Sequence, residues 1–248
     1  MVRVVFKSIL LSGLLFLSGC ATLYNPATGR NELILINSAT EIEIGNSVKA
    51  DLTKKHHISQ DTYLNNRLNN VGNRLAAVSD RKDIEYRFFV LEDKDLNALA
   101  IPGGQIYVYQ GLMNVLDDDE LAYVVGHEVG HVAARHIAKR LQGNMAYQLL
   151  LAVAFAGFSD KLGDNAQSVA QGIDQIYNLI DLGYSRQDEY EADRLAVKYS
   201  YKSGYNPNAS LTALEKIKKG EGPNWKVLGY FRSHPYIDER TAALRKIL

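Results

Sequence analysis

Five residues, His127-Glu128-Val129-Gly130-His131, constrain this chain more than any other stretch. They read H-E-x-x-H. The run before them, Glu120-Leu121-Ala122-Tyr123-Val124-Val125, suits a helix. On a helix, residues i and i+4 share a face, so both imidazoles can reach one metal ion. Glu128 then lies beside the site, able to hold a water there and take its proton. Asp117, Asp118 and Asp119 supply an N-cap and negative charge at the helix start. Gly130 costs about 1 kcal/mol against alanine inside a helix. Its presence points to a close approach to the backbone, by a ligand or by core packing. The plain alternative is an amphipathic helix whose two histidines are satisfied in the core.

A catalytic zinc takes three protein ligands and leaves one position open, so a further donor is required. Three patterns compete. A metzincin-like pattern needs a glycine three residues after the second histidine and a histidine six after it. Those places hold Ala134 and Ile137. His136 lies about 140° around a continuous helix from His131, so it is expected to face elsewhere, on the surface or in packing. The second candidate is Glu189-Tyr190-Glu191-Ala192-Asp193 on a separate helix. Glu189 and Asp193 share a face and Glu191 points away. One carboxylate can bind a metal while the other accepts a hydrogen bond from a ligand histidine's distal N–H, fixing its tautomer. Taken alone, the segment also fits a solvated acidic face. The third candidate is His56-His57, whose adjacent side chains point apart.

The N-terminus carries a different signal. Arg3 and Lys7 form a basic start, and residues 8–17 are apolar but too short to span a bilayer. Leu17-Ser18-Gly19-Cys20 then resembles the lipobox of bacterial lipoprotein signal peptides. That resemblance implies removal of residues 1–19 and lipidation of Cys20. Ala21 after the cysteine favours the outer over the inner membrane, with the chain facing the periplasm. Residues 20–37 read as a lipidated tether, with the turn-rich Asn25-Pro26-Ala27-Thr28-Gly29. Residues 38–248 read as one domain. Cys20 is the single cysteine, so disulfides, thiol catalysis and thiolate ligation are excluded. The remaining nitrogen and oxygen donors suit zinc. Lys and Arg number 28, as do Asp and Glu, and this balance leaves no nucleic-acid footprint.

The periodicity predicts an α+β fold, mostly helical, with a small β-sheet beside the metal helix. Ser38-Ala39-Thr40-Glu41 is a capping-box pattern opening a helix to about residue 52. Leu64, Leu68, Val71, Leu75 and Val78 mark the buried face of the next. Residues 84–91 and 106–109 read as strands, with a Pro102-Gly103-Gly104 turn before the second. An extended substrate can pair with such a sheet edge, although an ordinary hairpin explains the pattern equally well. The metal helix is expected over residues 118–141. A buried helix follows at 146–158, with a lid or a membrane-resting segment as alternatives. A loop and helix of uncertain order cover 160–181. Further helices are expected at 186–202, ended by Gly204 and Asn206-Pro207, and at 211–219 and 238–248.

Several of these motifs converge on one family. The H-E-x-x-H helix is followed by Ser185-Arg186-Gln187-Asp188-Glu189-Tyr190-Glu191-Ala192-Asp193, and then by Ser233-His234-Pro235 with Glu239-Arg240. Together they resemble the zinc endopeptidases of the CaaX prenyl protease and HtpX, and within them the periplasmic BepA-like lipoproteins. The resemblance implies a zincin-like (gluzincin) fold and one Zn2+ per chain. It assigns Glu189 as third ligand and Asp193 as the partner of a ligand histidine. It places Asn97-Ala98 on a substrate-binding strand and His234 near the metal. His234 would stabilise the oxyanion, block the open zinc position, or cap the last helix. Arg240 is expected to pair with a carboxylate. Polypeptides are the implied substrates, misfolded envelope proteins among them, with outer-membrane proteins as partners. No membrane-spanning segment follows the signal and the chain stops soon after Arg240, so prenylated substrates and a helical-repeat platform are not implied. Two rivals stand beside this expectation. One is a non-catalytic envelope chaperone or assembly lipoprotein stapled by zinc. The other is an amidase acting on peptidoglycan.

Overall fold

The computed structural model describes residues 22–155, 174, 176, 178–179, 182–220 and 230–248, without the side chains of 146–155. Cys20, the expected signal and most of 156–181 lie outside the described residues. The first described element is folded where a tether was expected. Strands β1 (Thr22–Asn25) and β2 (Arg30–Leu33) form an antiparallel hairpin. Polar contacts dock it: Lys139 Nζ lies 3.0 Å from Glu32 Oε1, and Gln142 Nε2 donates to the Leu33 carbonyl at 3.0 Å. An apolar face is missing from the hairpin, so hydrophobic patterning gave no hint of it.

Helix α1 (Ser38–Lys55) is capped by Asn37, whose side chain accepts from the Thr40 amide, rather than by Ser38. Glu41, expected as the capping-box acid, is instead buried and paired with Arg81 at 2.8 Å and with Arg135. Helix α2 (Thr62–Val78) is capped by Asp61 and buries Leu64, Leu68, Val71 and Leu75, with Val78 partly buried against the same core. Strands β3 (Arg87–Leu91), β4 (Ala98–Ile101) and β5 (Gln105–Tyr109) make a sheet of order β3-β5-β4. β3 runs parallel to β5 and β4 antiparallel to it. The reversal into β5 uses Gly103 and Gly104 at φ of 83° and 93°, a region that L side chains disfavour. β5 is central and buried throughout, and β4 is an edge strand.

After the short α3 (Gln110–Val115) comes α4 (Asp118–Ala133), started by a reciprocal capping box between Asp117 and Glu120. α4 is buried from Glu120 to its end and packs on α2, β4 and β5. The expected single helix over 118–141 is two helices. Arg135 takes a left-handed φ of 60°, and α5 (His136–Phe155) starts in a new direction. The break is imposed from outside, because Arg135 is held by Glu41 and donates to the Ile36 carbonyl at 2.5 Å. The apolar run at 146–155 is helical, but its burial lies outside the described side chains. Helix α6 (Arg186–Lys202) opens on a Ser185–Asp188 capping box, and Gly204 follows it at φ 77°. Helices α7 (Ala209–Gly220), α8 (Tyr230–Ser233) and α9 (Ile237–Ile247) complete the chain. Among the described residues, no helix is long and apolar enough to cross a membrane.

The contact between α4 and α6 explains Gly130. A Cβ there would lie 3.1 Å from the Ala192 carbonyl oxygen and 3.2 Å from its Cα. A Cβ on Gly126 would lie 3.3 Å from the Cα of Ala196. Core packing, not a ligand, is what approaches this backbone. Gly126 and Gly130 face Ala192 and Ala196, and so let two helix backbones come close. Gly130→Val is expected to force the helices apart and destabilise the fold by about 1–3 kcal/mol. A thermal melt of the purified variant that matches the parent would refute this packing account.

Candidate metal centre

α4 presents His127 and His131 on one face, with their Nε2 atoms 2.9 Å apart. α6 brings Glu189 against them. Its Oε2 is 3.5 Å from His127 Nε2 and its Oε1 is 3.5 Å from His131 Nε2. His234 enters from the turn between α8 and α9. Its Nδ1 lies 3.2 Å from His127 Nε2 and 3.3 Å from Glu189 Oε1. One donor atom from each of these four residues falls within 4.8 Å of the others, and all four side chains are buried. Of the three alternatives for His234, capping the last helix is not what the structure shows, because the N-cap of α9 is Tyr236 and no side chain caps it.

Around this set lies a layer that orients it. His127 Nδ1 is 2.8 Å from Asp193 Oδ1, so its N–H donates there and the Nε2 lone pair faces the site. Asp193 also accepts from the Tyr123 hydroxyl at 2.7 Å. Arg240, fully buried, donates to Asp193 at 2.9 Å and 2.7 Å and sets Nη1 2.6 Å from Glu189 Oε2. Glu128 is fully buried with both carboxylate oxygens lacking a hydrogen bond, and the His234 Nε2 stands 3.2 Å from its Oε1. Tyr184 stacks on His131 with ring centroids 3.7 Å apart, and Tyr230 stacks on His234 at 4.4 Å.

The charges show what the pocket lacks. Burial pushes the Asp193 carboxyl up, but Arg240 and His127 outweigh it and pull it down to about 2. Burial opposes the charge on Glu189 too, yet Arg240, His234 and His127 hold it well below the usual carboxylate range. Burial and Arg240 push His127 down, while Glu189 and Asp193 raise it to about 9. Glu128, Glu189 and Asp193 carry three formal negative charges against the single positive charge of Arg240. One divalent cation balances the difference, and the converging lone pairs give it donors. The residue set therefore fits a metal ion.

Sequence reasoning named His127, His131, Glu189, His234, Asp193, Arg240 and Glu128, and the fold brings all seven together. Asn97 and Ala98 sit where edge strand β4 begins. There the Asn97 Oδ1 accepts from the Ala98 amide, and the Asn97 carbonyl accepts from Tyr109. His56 and His57 are not part of the cluster. His136 corrects the sequence reading. It is buried, with its Nδ1 2.7 Å from His131 Nδ1, because the helix break at Arg135 redirects it. Tyr123 was also missed, although its place four residues before His127 puts it on the same face. No sequence signal marked Tyr184 or Tyr230.

The sequence model of Peptidase family M48 matches residues 63–248. Metalloprotease LoiP of Escherichia coli is 31% identical over 179 residues, covering 72% of this chain and 68% of LoiP. The mitochondrial metalloendopeptidase OMA1 of Schizosaccharomyces pombe is 30% identical over 175 residues, 70% of this chain and 49% of OMA1. The beta-barrel assembly-enhancing protease of Escherichia coli is 26% identical over 233 residues, 89% of this chain and 46% of that protein. The chain thus spans about half the length of the latter two relatives. The crystal structure of S. mikatae Ste24p aligns with a TM-score of 0.51 at 17% identity, over 83% of this chain and 55% of that one. This likeness shows the expected fold, mostly helical with small sheets. With three quarters of its length matched by the family model and the buried donor set inside the matched region, this chain belongs to Peptidase family M48.

Proposed function

We propose that this protein is a zinc-dependent endopeptidase of the bacterial cell envelope. The observation that carries the reading is the convergence of His127, His131 and Glu189 beside a buried Glu128 that makes no hydrogen bond. A regular tetrahedron around zinc, with bonds of about 2.0–2.1 Å, has edges of about 3.3 Å. With Glu189 represented by Oε1, the separations of 2.9, 3.2, 3.3 and 3.5 Å are of this size, and all four donor atoms lie within 4.8 Å of one another. Zinc held by His127, His131 and Glu189 would polarise the scissile carbonyl and acidify the attacking water. Glu128 accepts the proton from that water and passes it to the leaving amine. Asp193 keeps the His127 Nε2 lone pair turned inward, and Arg240 keeps Glu189 and Asp193 charged.

Edge strand β4, starting at Asn97 and Ala98, offers a place for an extended substrate to pair through its main chain, which gives loose sequence selectivity. That selectivity suits clearance of misfolded envelope proteins. Lipidation at Cys20, after removal of residues 1–19, would hold the enzyme on the outer membrane facing the periplasm. One E. coli relative is named for enhancing β-barrel assembly, which supports an envelope setting and favours outer-membrane proteins as partners.

One observation favours a second reading. With His234 included, four protein donors surround the site, as in structural zinc centres. A chaperone stapled by zinc would show that closure. Glu128 argues against it, since a structural centre has no use for a further buried carboxylate beside its four donors. Within the peptidase reading, the same distances favour His234 as the residue that blocks the open position.

Glu128→Gln is expected to retain zinc and lose about 10²–10⁴-fold in casein cleavage; equal cleavage removes the mechanism. Glu189→Ala is expected to lose bound zinc on elemental analysis, and an unchanged stoichiometry means the third ligand is misassigned. His234→Ala is expected to keep zinc and cleave casein faster than the parent, whereas slower cleavage contradicts the blocking role.

A further inference from the structure

His131 has two ring nitrogens, and the reading above uses one. Its Nε2 faces the donor cluster, while its Nδ1 lies 2.7 Å from the Nδ1 of His136. A neutral imidazole that offers Nε2 to a metal carries its proton on Nδ1. The short contact is therefore a hydrogen bond from His131 Nδ1–H to a lone pair on His136 Nδ1. His136 then carries its own proton on Nε2. That nitrogen is 3.3 Å from Glu191 Oε2, with Asp188 Oδ1 at 3.5 Å. Glu191 is held in turn by Arg30 of the N-terminal hairpin, whose Nη2 is 3.1 Å away. Each donor in this series meets an acceptor: His131 donates to His136 and His136 to Glu191, while Arg30 donates to Glu191 from the other side.

We infer that His136, oriented by Glu191, is a positioning residue that fixes the tautomer and ring plane of the metal-facing His131. His127 has the equivalent service from Asp193, a carboxylate on the same helix as Glu191. The two imidazoles of the motif are thus oriented differently, one directly by a carboxylate and the other through an intervening imidazole. The geometry depends on the left-handed Arg135. A continuous helix would carry His136 about 140° away from His131, and the break at φ 60° returns it to the back of that ring. Local strain of this kind persists where the surroundings hold it. Glu41 and the Ile36 carbonyl do so here.

This inference rests on the site holding zinc. The test measures the zinc dissociation constant of the purified full-length chain, by competition with a chromophoric chelator, beside thermal melts of the metal-free proteins. His136→Phe removes the acceptor and is expected to weaken zinc binding about 10–100-fold. His136→Asn places an oxygen near the lost Nδ1 and is expected to recover most of that affinity. Glu191→Ala, at a partly exposed position, is expected to weaken binding by less, about 3–10-fold. Equal affinities for the Phe and Asn variants overturn the inference. Should the Phe variant fail to fold, an unchanged affinity in Glu191→Ala overturns it instead. A parent chain that binds no zinc overturns the metal reading itself, a result distinct from either of these.

Discussion

Two helix backbones must come close before their side chains can share one ion. A glutamate reaches only a few ångströms from its own helix axis, and the histidines of α4 reach no further. Gly126 and Gly130 on α4 face Ala192 and Ala196 on α6, and this seam of small residues removes the bulk that would hold the helices apart. Glu189 and Asp193 then fall opposite His131 and His127 without any distortion of either helix. The remaining scaffold serves that contact. The Asp117–Glu120 box starts α4 in the core, and the Ser185–Asp188 box starts α6 one turn before Glu189. Both caps present amides and dipoles to carboxylates that need them.

Closing the seam buries charge, and Arg240 makes that tolerable. Its guanidinium reaches Glu189 and Asp193 of α6, and it anchors α9 to the same place. Because the His234 carbonyl is 3.3 Å from Arg240 Nη1, the turn that carries His234 is tied to that residue too. Removal of one partner would leave the others buried and uncompensated, a situation far costlier than the net value of the pair. The tyrosines Tyr184 and Tyr230 fill the remaining space with flat faces against the imidazoles. They contribute packing and exclude water, which strengthens every electrostatic contact inside.

Much of this was legible in the sequence. Spacing of four puts His127 with His131, and Glu189 with Asp193, on common faces, and helical geometry alone carries that inference. The strand signals at 84–91 and 106–109 marked β3 and β5, but these two run parallel; the strand that the Pro102-Gly103-Gly104 turn folds back onto β5 is β4, which the periodicity did not mark. The fours and threes from Leu64 to Val78 marked the core face of α2. Two of the failures share one cause. Ala133, Ala134 and Arg135 are good helix formers with no glycine or proline among them, so local propensity predicts continuity. The break comes from Glu41, far away in the chain, which local propensity cannot register. For the same reason Glu41 looked like a cap, when its partners Arg81 and Arg135 lie 40 and more residues on. Residues 22–33 looked like a linker because their docking is by ion pairs and amides instead of an apolar stripe.

The donors come from three separate stretches of chain, with Glu189 and His234 alone 45 residues apart. An ion held among them is a removable cross-link that closes long loops, and loop closure shrinks the freedom of the unfolded chain. By mass action, a metal supplied at a thousand times its dissociation constant deepens the native well by about 4 kcal/mol. That is a large share of the margin by which an ordinary domain stays folded. Scarcity of the ion in the surrounding compartment would then act on the lifetime of the whole molecule, through its susceptibility to unfolding and degradation, as well as on its chemistry.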